Sequence, residues 1–371
     1  MEGIEYNEFG PFKIIEIYEP SVGLRGTLVV DNVSRGPAIG GMRMAPDVST
    51  HECFRLARAM TFKNAAADLP HGGGKSVLYG DPGMPPEDKE KLIRAFACAL
   101  EEVEQYIFGP DMGTDEQCMG WVRDEIGRAV GLPREVGGIP LDEIGATGWG
   151  LLHSIKEACA FREQDLAGSR IAIQGFGAVG SHAARFLADE GAIVVGVADI
   201  RGTTACADGL DVARLWSIKG DGGSVVDYPD GPGITKGAAE AIIDVPCDIW
   251  IPAARPDVIR EENVDRLDTS MIVSGANIAM TLGAERILHE RGVLCIPDFI
   301  ANAGGVICAA MEHQGAGEAA AMEIIAEKLS YNTRRVLDIM RCDDCLPREA
   351  AEDMAHRRVR RAMSLKRWNL F

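Results

Sequence analysis

Basic residues are in deficit: Lys and Arg number 38 against 56 Asp and Glu, a formal charge of −18 over 371 residues. Such a surface repels phosphate backbones and argues against nucleic acid as a partner. No apolar run is long enough to span a bilayer. The opening MEGIEYNEFGPF has no basic stretch followed by an apolar one, so a secretory leader is not expected either. The reading is a cytoplasmic protein without a membrane partner. Paired cysteines are nearly absent. The ten are scattered, apart from Cys342 and Cys345 in RCDDCLP, and a disulfide framework is not expected in such a chain. No second cysteine pair or histidine cluster completes a metal site around them, so no metal is expected and the role of the pair stays open.

What is present is ordinary for a globular chain: 46% hydrophobic and 25% charged residues. The length exceeds one ordinary core and points to two domains. GLRGTLVVDNV (23–33) reads as a strand, and STHECFRLARAMTFKNAAADL (49–69) as a helix capped by Ser49 or Thr50. GKSVLYG reads as a strand and 87–105 as an amphipathic helix. Residues 131–150 are rich in Gly and Pro and form a candidate linker or hinge. From Arg170 the short apolar runs RIAIQ, AIVVGVAD, CDIWIPAA, SMIVSGA and VLCIP alternate with helical or loop segments. That pattern indicates a parallel, doubly wound sheet. Residues 219–237 read as an exposed loop and hairpin, and the tail from about 318 as helix.

Within RIAIQGFGAVGSHAARFLADEGAIVVGVAD (170–199), Gly175, Gly177 and Gly180 form G-x-G-x-x-G between a strand and a helix. The first glycine permits a tight turn, the second lets a pyrophosphate approach the helix N-terminus, and the third allows close helix–strand packing. Phe176, Ala178 and Val179 complete the loop. Asp199 ends the next strand, where it can accept hydrogen bonds from a ribose; Arg201 nearby could instead pair with a 2′-phosphate. The cofactor is therefore NAD or NADP, with Asp199 favouring NAD.

The nucleotide half carries no acid–base set, so the chemistry is expected from the first half. In LPHGGGKSV (69–77) three glycines precede Lys75, and Lys63 lies upstream in the helix. A chain reversal at 70–74 would bring both ammonium groups into one cleft, where each disfavours the other's charge. One lysine, made partly neutral, could polarise a carbonyl while the other holds a carboxylate. Asp111, in the Gly/Pro turn of YIFGPDMGTDEQ, is either an Asx-turn former or a catalytic acid.

GPAIGGMRM (36–44), MTFKNAAADLPHGGGKSVLYGDP (60–82), GPDMGT (109–114), ATGWG (146–150), QGFGAVG (174–180), SGAN (274–277) and ANAGGV (301–306) follow one another along the chain. On these motifs it resembles the glutamate/leucine/phenylalanine/valine dehydrogenases from about residue 20 to 330. The resemblance implies reversible oxidative deamination of an L-amino acid to a 2-oxo acid and ammonia, with hydride transfer to NAD(P). It implies that Lys63 binds the α-carboxylate, that Lys75 polarises the 2-oxo group and activates water, and that Asp111 shuttles protons to and from nitrogen. Gly40, Gly41, Gly72 and Gly73 would shape the pocket. Thr147, Ala253, Asn277 and Asn302 would lie on the cofactor side, Thr147 near the carboxamide.

Glutamate-specific members usually have a lysine where this chain has Ile39, and a serine where it has Ala309; Met60 is of the leucine type. Ile39, Met60 and Ala309 would then make an apolar side-chain pocket in which a γ-carboxylate is desolvated without a partner. Against that, EHQG and MGWVRDE are closer to the glutamate type, and Arg43, Arg123 or His71 could rescue a carboxylate; SGAN, in the cofactor-side turn, departs from the EGAN usual in the glutamate type.

The expected architecture is α/β with two domains. Residues 1–144, completed by 326–371, form a substrate and oligomerisation domain. Residues 145–325 form a Rossmann domain, with hinges near 140–147 and 310–330 closing the cleft. The expected assembly is a homo-oligomer, hexamer or octamer. An apolar L-amino acid is the first substrate reading and glutamate the alternative; a catalytically silent nucleotide-sensing subunit is the reading from another class.

Overall fold

The computed structural model describes residues 4–366. The chain divides into two compact units. One contains the residues up to Leu141, Val306–Ala321 and the chain from Glu352 onward; the other contains Asp142–Gly305 and Met322–Ala351. Among the described residues no helix is long and apolar enough to cross a membrane.

The first unit opens with β1 (Lys13–Glu19), β2 (Leu24–Asn32) and β3 (Ala38–Ala45), then α1 (Thr50–Ala66) and β4 (Gly72–Tyr79). It continues with α2 (Pro86–Ala99), β5 (Tyr106–Pro110) and α3 (Glu116–Ile126). Its five strands are ordered β1-β2-β4-β3-β5. β2 is antiparallel to β1 and β4, whereas β3 runs parallel to β4 and β5. On one sheet face Leu28, Val30, Met42, Met44 and Leu78 are buried with Ile93 and Phe96 of α2 and Met119 and Val122 of α3. On the other, Val29, Ala45 and Val77 are buried with Cys53, Phe54 and Ala57 of α1. Ser49 caps α1 by accepting from the Glu52 N–H. α2 ends at Ala99, earlier than its sequence pattern suggests.

The glycine run does not reverse the chain. Gly72, Gly73 and Gly74 are the first residues of β4, and they are glycines because their neighbours are too near for side chains. An added Cβ at Gly72 would lie 1.8 Å from the Asn32 carbonyl oxygen, and one at Gly73 would lie 2.0 Å from the backbone nitrogen of Thr61.

The second unit begins with α4 (Ala146–Phe161), followed by β6 (Arg170–Gln174), α5 (Ala178–Asp189), β7 (Ile193–Asp199) and β8 (Gly202–Cys206). Next come α6 (Val212–Gly220), β9 (Ile234–Gly237), β10 (Ile249–Pro252), β11 (Met271–Val273), α7 (Leu282–Glu290) and β12 (Leu294–Ile296). The seven-stranded order is β12-β11-β10-β6-β7-β8-β9. The strands from β12 to β7 are parallel, whereas β8 and β9 are antiparallel additions at one edge. The 219–237 excursion thus contributes an edge strand.

The remaining helices are α8 (Asp298–Ala301), α9 (Gly304–His313), α10 (Glu318–Asp343) and α11 (Pro347–Leu365). The unit boundaries fall within α9, α10 and α11 rather than at 325/326. Hydrogen bonds show why. Most of α10 is tied to α4, through Trp149 Nε1 to the Met322 carbonyl (2.9 Å), Thr333 Oγ1 to Ser154 Oγ (3.0 Å) and the Arg334–Glu157 ion pair. Residues 306–321 instead send Glu312 to the N–H groups of Leu132 and Ile139. Arg358 of α11 donates to the Ala65 and Ala66 carbonyls.

Candidate active site

In the first unit β4, β3 and β5 run side by side, and each brings one charged residue to the same place. Alternation puts Gly73, Lys75 and Val77 of β4 on the α1 side, with Ile39, Gly41 and Arg43 of β3 beside them. Asp111 follows the last residue of β5. Lys75 Nζ lies 2.7 Å from Asp111 Oδ2. Arg43 Nε donates to the same oxygen at 3.0 Å, while its Nη1 reaches Glu52 Oε1 at 2.6 Å. The ammonium of Lys75 therefore faces a carboxylate, and the expected mutual repulsion of two lysines is not its nearest interaction. Burial pushes the Asp111 carboxyl up, but Lys75 and Arg43 outweigh it and hold it below the usual carboxylate range.

The turn carrying Asp111 is fixed by its backbone, which leaves the side chain available. Thr114 Oγ1 accepts from the Asp111 N–H at 3.0 Å and donates to the Met42 carbonyl at 2.7 Å. Gly41 gives the ion pair its room: an added Cβ would lie 2.7 Å from Asp111 Cβ and 3.0 Å from Lys75 Nζ. Gly40 points the other way, where an added Cβ would lie 1.7 Å from the Gly74 carbonyl oxygen.

Lys63 is half-buried in the last turn of α1, and Met60 is half-buried one turn before it. Ile39 is buried and pairs with Gly73, whereas Ala309 is half-buried on α9. Two residues stand out that the sequence reading missed. Glu52 holds the far side of Arg43. Asn64, fully buried, donates to the carbonyls of Gly72 (2.7 Å) and Ile39 (3.3 Å) and so locks α1 onto both glycine-bearing strands. Arg43 was visible as a cation two residues beyond Gly41, on the same strand face; Glu52 and Asn64 carry no local signal.

In the second unit the fingerprint closes as its spacing requires. Gly175 has φ +99°, and an added Cβ there would lie 2.7 Å from Ala254 Cβ; one at Gly180 would lie 1.9 Å from the Gly175 carbonyl oxygen. At Gly177 an added Cβ would meet nothing within 4 Å, and no side chain caps α5 there. The open approach to the first-turn N–H groups of α5 fits a dinucleotide pyrophosphate. Ala178 is exposed and Val179 half-buried, but Phe176 is buried, so only its backbone can face a ligand.

Asp199 is more committed than its place in the sequence suggests. Its carboxylate accepts from the Arg201 N–H (2.9 Å), Ser224 Oγ (2.7 Å), the Val225 N–H (3.0 Å) and Lys219 Nζ (3.5 Å). Burial raises the carboxyl, but these donors hold it below the usual range. Arg201 turns outward to a two-pronged contact with Asp227, at 2.8 and 3.0 Å. Thr147 is half-buried in the first turn of α4. The Ala253 N–H donates to the Gln174 carbonyl at 2.7 Å, at the end of the central strand. Asn302 Nδ2 donates to Asn277 Oδ1 at 2.7 Å, and Asp298 accepts the Ile278 N–H at 2.8 Å; together they brace the exposed turn at Asn277.

Two family models match the chain. The Glu/Leu/Phe/Val dehydrogenase, dimerisation domain model covers residues 17–128, and the Glutamate/Leucine/Phenylalanine/Valine dehydrogenase model covers 137–367. The NADP-specific glutamate dehydrogenase of Saccharolobus shibatae is 37% identical over 74% of this chain and 67% of its own length. The NAD-specific glutamate dehydrogenase A of Halobacterium salinarum is 37% identical over 80% of this chain and 72% of its own. Among solved structures, the hetero-hexameric glutamate dehydrogenase of Thermus thermophilus in a Leu-bound form superposes with a TM-score of 0.81. It is 27% identical, with 96% of this chain and 90% of that one covered.

Proposed function

The chain belongs to the Glu/Leu/Phe/Val dehydrogenase family and is an NAD(P)-dependent amino acid dehydrogenase, and on that premise we propose that its substrate pair is L-glutamate and 2-oxoglutarate with ammonia. The names of the similar curated proteins support this substrate over the apolar one. The observation that carries the chemistry is the Lys75–Asp111 contact at 2.7 Å, sheltered beside Gly41.

In this reading Lys63 holds the α-carboxylate. Lys75, a cation beside the reacting carbon, polarises the 2-oxo oxygen and orients the water or ammonia that adds to it. Asp111, kept ionised by Lys75 and Arg43, takes a proton from the nitrogen in deamination and returns it in amination. Gly41 leaves the backbone open to the head group, whereas Gly73 lets α1 pack directly on β4. The nicotinamide, when bound, supplies the hydride acceptor or donor. Thr147, Asn277 and the α5 N-terminus are the proposed cofactor contacts, and either NAD or NADP is accommodated. Assembly into an oligomer belongs to the proposal and is supported by the hetero-hexameric solved relative; that its subunits are identical is part of the proposal.

A second reading, an apolar L-amino acid, is favoured by one observation: Ile39, Met60 and Ala309 supply no cation. The deciding experiment mixes the protein with ammonia and NADH or NADPH. It then offers 2-oxoglutarate, 4-methyl-2-oxopentanoate or phenylpyruvate in turn and follows the absorbance of the reduced cofactor. Oxidation with 2-oxoglutarate at the highest kcat/KM supports the proposal; turnover of only the other two refutes it in favour of the apolar reading.

A further inference from the structure

His71 stands immediately before β4, and by strand alternation on the side of Gly73 and Lys75. Its residue is only 4% exposed. Nδ1 lies 3.1 Å from the Pro37 carbonyl oxygen, which makes Nδ1 the protonated nitrogen. Nε2 is buried with no hydrogen-bond partner. A buried polar atom of this kind is normally satisfied, so its unpartnered lone pair marks a place where a ligand or a proton can be taken up. Facing it is His313 of α9, with ring centroids 5.7 Å apart and planes at 73°. His313 lies four residues after Ala309, on the same helix face. All of these residues belong to the first unit. The His71 ring thus packs against the helix that carries Ala309, and His71 stands two residues before the glycine that pairs with Ile39.

We infer that His71 receives the γ-carboxylate of the substrate through Nε2, as an imidazolium that takes up a proton from solvent when the dicarboxylate binds. The inference rests on the glutamate reading above. Ile39 and Ala309 offer a carboxylate no donor, and a neutral Nε2 offers only a lone pair. One proton converts that lone pair into a charged donor, with Nδ1–H still on Pro37.

In the free protein burial pushes His71 down to about 4, with His313 adding to the effect, so its protonation waits for an anion. The charged and titratable groups around it are compatible with this. His313 is itself lowered, by burial and by Arg123 of α3. Glu312 is occupied with the N–H groups of Leu132 and Ile139. Lys63 of α1 and Lys75 of β4 are assigned to the substrate's other end.

The test measures kcat/KM for 2-oxoglutarate and for 2-oxohexanoate, an uncharged chain of similar reach. Both are run with ammonia and reduced nicotinamide from about pH 6 to about pH 8.5, the range in which imidazole equilibria act. The ratio of the two is expected to fall by about tenfold per pH unit as pH rises, the slope for one proton taken up. His71→Gln supplies an uncharged N–H donor at every pH and should flatten that slope; His71→Leu should abolish the preference for 2-oxoglutarate. Thermal unfolding reports whether each variant is folded, and the wild-type slope alone can refute the idea. A pH-independent ratio in a wild type that uses 2-oxoglutarate overturns the role of His71 and leaves the glutamate reading standing. No turnover of 2-oxoglutarate by wild type at any pH overturns both.

Discussion

Replacing Arg43 with Gln tests whether the charge on Asp111 is set by its neighbours. Arg43 Nε and Asp111 Oδ2 are 3.0 Å apart, with side chains 20% and 23% exposed. Opposite charges about 4 Å apart attract by about 4 kcal/mol at an effective dielectric constant near 20, and by about 1 kcal/mol in water. Partial exposure places this pair between those limits, so losing Arg43 removes a real part of what holds the Asp111 carboxyl down. Lys75 stays at 2.7 Å, so only part of the depression is lost.

The sign follows directly. Asp111 is depressed in the folded protein, and removing a cation raises it. The acid limb of kcat/KM for oxidative deamination, where the carboxylate must accept a proton, should move to higher pH. A depressed carboxylate also stabilises the fold above its unfolded pKa and loses that contribution as pH falls through the folded value. The variant should therefore be less stable near neutrality, and its deficit should shrink in acid. Glu52→Gln is the control: it removes the other anion on Arg43, at 2.6 Å, and leaves Arg43 to Asp111. It should not raise the acid limb. An acid limb that stays in place in Arg43→Gln refutes the reasoning.

Lys75→Ala should cut kcat by about 10²–10⁴-fold while reduced nicotinamide still binds, as read by its fluorescence; near-normal turnover would remove Lys75 from the mechanism. Gly40→Ala places a Cβ 1.7 Å from a neighbouring strand's carbonyl oxygen, and denaturant unfolding should show a loss of about 1–3 kcal/mol; an unchanged midpoint contradicts the packing. Gly177→Ala is the complementary case, because nothing in the protein lies within 4 Å of the new Cβ. Its unfolding midpoint should stay near wild type while NAD(P) binding weakens by about tenfold, roughly 1.4 kcal/mol; equal affinity would place the pyrophosphate elsewhere.

Local signals in the amino-acid sequence were enough for part of this protein. The strand–glycine–helix stretch 170–189 reads directly because its turn, its helix N-terminus and its close packing are contacts between residues near in sequence. Ser49 as the cap of α1 reads for the same reason. The motif order also sufficed to identify the family. Tertiary structure decided the rest. Gly72–Gly74 look like a turn in isolation, yet they form a strand, since their need for glycine comes from Asn32, Thr61 and Tyr106, which are remote in sequence. Asp199 looks free for a ribose until the 219–225 segment folds back onto it. Lys75, Arg43 and Asp111 become one electrostatic unit only because β3 lies between β4 and β5 in parallel register. Spacing along a chain specifies hydrogen bonds within a turn or helix; it cannot specify which distant strand lies alongside, and that adjacency places the charges.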